Sequence, residues 1–467
     1  MILECLPRDM IYEICKYLHC IDKKSIYNLN KTNKNISRKV TYYMTNNFVY
    51  NHNKMCSDVN YNTNNIYDKF KITHSGNIKN IECHDIESLK NINIDKNVKY
   101  IKYYIHSGAS IKSIKLEYLQ ELVLVCDYPT NITLNLPNLK KLSIDDKLLK
   151  CDMNCPQLID LELDKSFDKL YQNNTIWANL QKLSFGRYFD ESIDKLDLVN
   201  LKELSFGSSF NKSLYKLNLV NLRILAFHAN YNQPVEQLNL PNLEELSFGF
   251  KFDQPIEKMN IPNLKKLLFC GKFNKPIEKL NVPNLEELSF GESFNQQIEK
   301  MNVPNLKKLS LNQSYYHGTN KFNQPIEKLY VPKLEELFLS YFFNQSIEKF
   351  YAPNLKKLLL NYNFGNEIYV AYNLNSQNIS YTPSVNLKAQ QLEELHLMFK
   401  QKGSLSHLNL PNLKVLIMNT KTWPDIDSKK CPNLIEFHLI NSIKKNIINK
   451  IEHIINNEFP NCTFYHK

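Results

Sequence analysis

The sequence predicts an α+β multidomain chain: a small three-helix head, a long β-solenoid of stacked turns, and a C-terminal helical cap. Three observations predict it. From Asn242 a 21-residue sentence is written three times, restarting at Asn263 and Asn284. The first 45 residues carry apolar side chains at helical spacing, and a second helical run of isoleucines lies near the end. Repetition at a period of 21 outranks length as a guide to architecture, because it marks a stack of similar turns.

The repeat is an assembly unit. In the copy from Asn263 the apolar positions are Leu264, Leu267, Phe269, Phe273, Ile277, Leu280 and Val282. Burying these side chains does not offset the ordering of a whole 21-residue turn, so each copy needs neighbours on both sides. Leu267-Leu268-Phe269 alternates inward, outward, inward as a strand does. Lys279-Leu280-Asn281-Val282 predicts a second short strand on the return side. Pro276 and Pro283 fit corners, where a missing N–H is tolerated.

Composition narrows the function classes. The 467 residues carry a net charge of +11, with lysines spread among glutamates, so no basic stripe for nucleic acid or membrane stands out. Ten glycines leave no glycine-rich phosphate cradle. Eleven cysteines without a framework, an N-terminus without a secretory pattern at Met1-Ile2-Leu3-Glu4, and no long apolar run predict a soluble cytoplasmic protein with free thiols.

In chain order, the head comes first. Pro7 suits a first helical turn and Asp9 its positive end. Met10, Ile11, Ile14, Cys15 and Leu18 share one helical face. Asp22 caps a second helix toward Leu29, and Ile36, Val40 and Tyr43 mark a third. Three short helices make a small core, so a partner surface is expected. Residues 46–117 read as an irregular connector with degenerate opening rungs from Ile72 onward. The regular solenoid spans 118–440, with its best copies over 179–353. Copies start at Asn179, Asn200, Asn221, Asn242, Asn263, Asn284, Asn305, Lys333 and Asn354, and the Asn305 copy carries a seven-residue insertion around Tyr315 to Thr319. A long polar stretch, Asn361 to Ala389, interrupts the frame before it resumes at Gln391. Residues 441–467 form the cap: Ile443, Ile447, Ile451, Ile454 and Ile455 lie on one helical face, and Phe459 to Tyr465 adds a last strand.

Two columns of polar residues run down the copies. The pair after the first Leu alternates in sign: Glu244-Glu245, Lys265-Lys266, Glu286-Glu287, Lys307-Lys308, Glu335-Glu336, Lys356-Lys357. Equivalent residues of parallel strands lie about 4.8 Å apart, so alternation turns repulsion into attraction and specifies which rung neighbours which. Asn211, Asn232, Asn274, Asn295 and Asn323 follow the buried aromatic (Phe, except Tyr231). Their amides predict an internal polar ladder, with Asp190 and Asp253 replacing the amide in two copies.

The head residues Leu6-Pro7, Ile11, Ile14, Leu18, Asp22, Ser25-Ile26 and Leu29-Asn30-Lys31 resemble the F-box motif. The chain departs from that motif at Asn33 to Ile36, where an aromatic is usual. The repeats, through Phe273-Asn274-Lys275-Pro276-Ile277 and Phe322-Asn323-Gln324-Pro325-Ile326, resemble leucine-rich repeats and more narrowly the FNIP repeat. The two together resemble an architecture of amoebal and giant amoeba-virus proteins, which implies a host-cytoplasmic setting if the chain is viral. The F-box resemblance implies that Leu6, Pro7, Ile11, Ile14, Leu18, Ile26 and Leu29 dock on the Skp-type adaptor of a cullin ubiquitin ligase. The chain is then its substrate-recognition subunit, with no catalysis of its own. Two alternatives stand beside it: a binding scaffold without a ubiquitin role, and a viral decoy that occupies the host adaptor.

Target contacts are expected where the copies differ, in the two residues before the buried aromatic. Those are Arg187-Tyr188, Ser208-Ser209, Phe250-Lys251, Glu292-Ser293 and Tyr341-Phe342, with Tyr315, Tyr316 and His317 of the insertion beside them. Cys151-x3-Cys155 and Cys83-His84 lack the second pair a metal centre needs and are expected to be structural. His317, His396, His407 and His438 read as surface or rung-filling residues. No nucleophile elbow, kinase signature or paired carboxylates appear, so no enzyme, cofactor or metal is expected.

Overall fold

The computed structural model describes residues 50–51, 80–84, 99–105, 111–126, 130–144, 148–163, 177–313, 321–340, 343, 345–347, 349–360, 391–397, 409–418, 426–440 and 445–466. The three helices expected over 1–45 lie outside these residues. The chain divides into two compact units, Met1–Gly186 and Arg187–Lys467. That division falls inside the run expected as a single solenoid over 118–440.

In the first unit the strands are β1 (Tyr50–Asn51), β2 (Asn80–His84), β3 (Tyr100–Ile105), β4 (Ile111–Lys115), β5 (Glu121–Cys126), β6 (Thr130–Asn135), β7 (Lys141–Ile144), β8 (Leu148–Asn154), β9 (Asp160–Leu163) and β10 (Lys182–Phe185). From β1 through β2, β3, β5, β7 and β9 to β10, every neighbour pairs in parallel. The strands β4, β6 and β8 form a second parallel sheet. The chain thus alternates between two walls, and alternate residues such as Leu122, Leu124, Leu142 and Ile144 are buried between them. Stacking is under way before Leu119, since β2 and β3 pair in the same sheet as β5.

The second unit contains β11 (Glu203–Ser205), β12 (Ile224–Ala226), β13 (Glu245–Phe248), β14 (Lys266–Phe269), β15 (Glu287–Gly291), β16 (Lys308–Gln313), β17 (Glu336–Phe338), β18 (Lys357–Leu360), β19 (Glu394–Leu397), β20 (Val415–Met418), β21 (Glu436–Leu439), helix α1 (Lys445–Glu458) and β22 (Thr463–His466). From β11 to β22 each strand pairs in parallel with the next. The register joins equivalent positions, Leu246 to Leu267 to Leu288 to Leu309. This is a β-solenoid whose rungs are the repeats read in the sequence.

Each rung is filled as its apolar pattern dictates. Leu264, Leu267, Phe269, Phe273, Ile277, Leu280 and Val282 are all buried. Two aromatics per copy stack face to face, Phe269 on Phe273 at 3.9 Å and Phe290 on Phe294 at 3.7 Å between centroids. The outer members form a column from copy to copy, with centroids 5.9 Å apart for Phe273 and Phe294. Gly291 sits where the neighbouring copy passes close: a Cβ there would lie 2.1 Å from the backbone nitrogen of Gly271. Gly271 itself holds φ at 70°, a conformation that suits glycine.

One local expectation is corrected. Lys279 to Val282 forms no strand; the chain turns there, with the Leu280 N–H donating to the Ile277 carbonyl at 3.1 Å. The turn is stitched to the next copy instead, since Glu257 accepts the backbone N–H of Lys279 at 3.0 Å and Glu278 that of Lys300 at 3.0 Å. At the C-terminus the helical cap is present. Ile451 and Ile455 of α1 are buried, Ile447 and Ile454 are half-buried, and β22 closes the sheet against β21; Ile443 lies outside the described residues.

Candidate binding groove

Two open grooves run along the second unit, one on either side of its strands. The first is lined by the asparagines that open successive copies, such as Asn221, Asn242 and Asn263, with Arg223, Glu244 and Lys265. Its donors are taken up within the protein. The amide of Asn242 donates to the Val220 carbonyl at 2.9 Å, and those of Asn263 and Asn284 to Pro241 and Pro262 at 2.8 and 3.1 Å. The charges cancel in the alternation read from the sequence. Lys265 meets Glu244 at 2.7 Å, and Lys307 with Glu286, Lys356 with Glu335 and Lys414 with Glu393 each pair at 2.8 Å. The Lys265 hydrogen bond holds the Glu244 carboxyl below its ordinary range, and the Glu244 hydrogen bond raises Lys265 in return.

The second groove, about 910 Å³, follows the polar ladder. Each rung's side-chain oxygen accepts the backbone N–H of the same position one copy on: Asp190 from Asn211 at 2.8 Å, then Asn211 from Asn232, Asn232 from Asp253, Asp253 from Asn274, Asn274 from Asn295 and Asn295 from Asn323, all at 2.9 Å. A carboxylate oxygen can accept the same N–H as a carboxamide oxygen, which explains why Asp substitutes for Asn. The following residue obeys a rule that sequence reasoning missed. Where the acceptor is Asn, the next copy supplies a Gln whose Nε2 donates to the same oxygen: Gln233 to Asn211, Gln254 to Asn232, Gln296 to Asn274 and Gln324 to Asn295, at 3.1–3.2 Å. Where it is Asp, the next copy supplies a Lys: Lys212 meets Asp190 at 3.2 Å and Lys275 meets Asp253 at 3.1 Å. The signal was present, and it shows only when one copy is read against the shifted position of the next.

Six residues that stand just before a buried aromatic line this groove: Ser209, Asn230, Lys251, Lys272, Ser293 and Lys321. Their backbone N–H groups extend the parallel pairing past the strands, as from Lys251 to the Ala229 carbonyl and from Lys272 to that of Phe250, both at 2.8 Å. Of the expected target contacts, Ser209, Lys251 and Ser293 are brought into the groove. Arg187 and Tyr188 are exposed and pack on each other, the guanidinium 5.6 Å from the ring centroid. Phe250 is half-buried, its ring edge 2.5 Å from where a Cβ on Gly271 would stand, so it covers the glycine and does not project freely. Tyr315, Tyr316, His317, Tyr341 and Phe342 lie outside the described residues, as do all seven adaptor positions from Leu6 to Leu29. Lys272 and Lys321 are contacts the sequence reading passed over; they occupy the same column as Lys251.

The remaining reactive side chains sit apart from the groove. Burial pushes the Cys155 thiol up to about 11 against a Leu136 backbone hydrogen bond, which leaves it a poor nucleophile and metal ligand. His396 is buried and bonded to Glu394; burial lowers its pKa although Glu394 favours the proton. His438 bonds Glu436 at 2.9 Å and stacks on Tyr465 at 4.4 Å. Among the described residues no group of three or more His, Cys, Asp or Glu is placed to hold a metal ion, and no helix is long and apolar enough to cross a membrane.

A comparison with curated proteins returned no match. Among solved structures the chain is similar to a crystal structure described as CroV588, a novel circular LRR protein, at 19% identity and a TM-score of 0.38, over 76% of this chain. The match spans 65% of that structure's length. The FNIP Repeat family matches residues 231–272 and 273–314, each a block of two copies beginning on the buried aromatic that stands before the ladder. Residues 231–314, which include the middle of the polar groove, match the FNIP Repeat model.

Proposed function

We propose that this chain is a non-catalytic receptor that grips a target protein through its repeat solenoid and presents it to a cullin ubiquitin ligase by way of a Skp-type adaptor bound to the head. The observation that carries the binding half is the groove. Its floor repeats from copy to copy, while its rim changes residue at one fixed position, the arrangement that rigid scaffolds use for recognition. The ubiquitin half rests on the F-box resemblance of residues 4 to 44. In this reading proximity supplies the catalytic effect, with the target held beside a ubiquitin-charged enzyme and no covalent step on this chain.

Affinity capture with the full-length chain tests the assignment. Wild type is expected to retain the adaptor and cullin, and a variant with Leu6→Ser, Pro7→Ser and Ile11→Ser together to lose both while its solenoid melts at an unchanged temperature. Capture that survives the triple substitution removes the head from the mechanism. Absence of adaptor from the wild-type capture leaves a scaffold without a ubiquitin role. Ubiquitination of a co-captured partner separates a receptor from a decoy that only occupies the adaptor.

A further inference from the structure

The second groove is a surface of hydrogen-bond donors. Each ladder asparagine spends its Oδ1 inside the protein, and no hydrogen bond among the described residues takes up the Nδ2 of Asn211, Asn232, Asn274 or Asn295. Where aspartate replaces asparagine, Lys212 and Lys275 bring an ammonium to the same place, so donor character is kept in every rung. Above this floor stand Lys251, Lys272 and Lys321, exposed and without an ion pair among the described residues. Asp190 and Asp253, the carboxylates lining the groove, are already neutralised by Lys212 and Lys275.

Beside the strands, charged columns alternate in sign and cancel, as Glu244 with Lys265 and Glu286 with Lys307 do. Here Lys251 and Lys272 occupy equivalent positions of adjacent copies, about 4.8 Å apart by strand spacing, with like charge and no counter-ion among the described residues. A negatively charged ligand relieves that repulsion and pairs with the donors below.

We infer that this groove binds an extended acidic segment of a partner protein, rich in Asp and Glu, laid along the ladder from Asp190 to Asn323. Seven rungs at about 4.8 Å cover about 29 Å, which an extended chain at about 3.3 Å per residue spans in about nine residues. Amide donors in a row suit both carboxylates and peptide carbonyls. Among the described residues the groove lining contains no aromatic ring or arginine on which a base could stack, which favours polypeptide over single-stranded nucleic acid. The inference rests on the reading of the solenoid as a protein-binding surface and supplies the chemistry of its partner.

Fluorescence anisotropy with the full-length chain tests it, using three probes: a nine-residue peptide of alternating Glu and Ser, the same peptide with Gln for Glu, and a nine-nucleotide thymidine strand. The acidic peptide is expected to bind more tightly than the other two and to weaken as salt is added. Lys251→Glu, Lys272→Glu and Lys321→Glu together should weaken it at least about tenfold, because charge reversal turns attraction into repulsion. Lys258→Glu, Lys279→Glu and Lys300→Glu, which make the same change in net charge outside the groove, should leave it within about twofold. No binding of the acidic peptide, equal binding of the glutamine peptide, tighter binding of the nucleotide strand, or an equal loss in the control triple each overturns the inference. Adaptor and partner capture by the same preparation is read separately, so the groove chemistry can fail while the receptor reading stands.

Discussion

At the scale of single residues the interior is nearly uniform, and one departure from it is informative. Tyr231 takes a place that phenylalanine fills in neighbouring copies, its ring 5.9 Å from Phe210 and 6.2 Å from Phe252. The ring fits the column, but its hydroxyl is buried without a hydrogen-bond partner, and burial pushes its pKa far up. An unpaired buried hydroxyl costs about 1–3 kcal/mol. Tyr231→Phe is therefore expected to raise stability by about 1 kcal/mol in urea denaturation; a loss of stability would mean that the hydroxyl is bonded after all. The sequence displayed Tyr231 as the odd member of its column, because fixed spacing makes a deviation visible. It did not display the pairing of Asn with Gln and of Asp with Lys, since those partners are 22 residues apart, one step off the period, where the ladder itself runs at 21. An interaction that crosses the repeat diagonally is hidden when copies are aligned column by column.

At the scale of the element, strands were legible and turns less so. Leu267-Leu268-Phe269 alternates and is a strand; Lys279-Leu280-Asn281-Val282 has an apolar residue at alternate positions too, yet it follows a turn whose hydrogen bond, Leu280 to Ile277, commits the backbone elsewhere. Periodicity alone cannot separate the two. The ion-pair columns beside the strands carry a pH signature. Hydrogen bonds from Lys265, Lys307 and Lys414 hold Glu244, Glu286 and Glu393 below their ordinary value of 4.5. Their contribution is complete above that value and is lost as pH falls through the lowered folded one. Lys265 and Lys356 are raised from 10.5 by Glu244 and Glu335, so theirs is complete below that value and disappears as pH rises past the folded one. The urea midpoint should be flat between about pH 5 and about pH 10 and fall on both sides. Lys265→Met, Lys307→Met, Lys356→Met and Lys414→Met together should shrink the acid fall; an undiminished fall would assign it to other carboxylates.

At the scale of the molecule, each compact unit is a stack of parallel rungs, and the second is the one whose surface points to function. Its fold was legible almost whole, because repetition multiplies a weak local pattern into an unmistakable one. The candidate site was legible in part. The variable position before each aromatic was found through Ser209, Lys251 and Ser293, but Lys272 and Lys321 went unread, since they stood beside residues that drew no attention in their own copies. The donor-lined floor required knowing that each asparagine oxygen points inward along the stack. What the copies encode jointly is order: sign alternation and the ladder partners say which copy follows which.

Excising copies tests that claim most directly. Removing Asn263–Pro283, one period, sets Glu244-Glu245 beside Glu286-Glu287 and leaves Asp253 facing Gln296 where its Lys partner stood. Removing Asn242–Pro283, two periods, sets Arg223 beside Glu286 and Asn232 beside Gln296, which restores both rules. Stability that simply adds over rungs would make the longer protein the more stable. If the copies specify their neighbours, the two-copy deletion melts at the higher temperature although it has lost more; a one-copy deletion that melts as high or higher would contradict that claim.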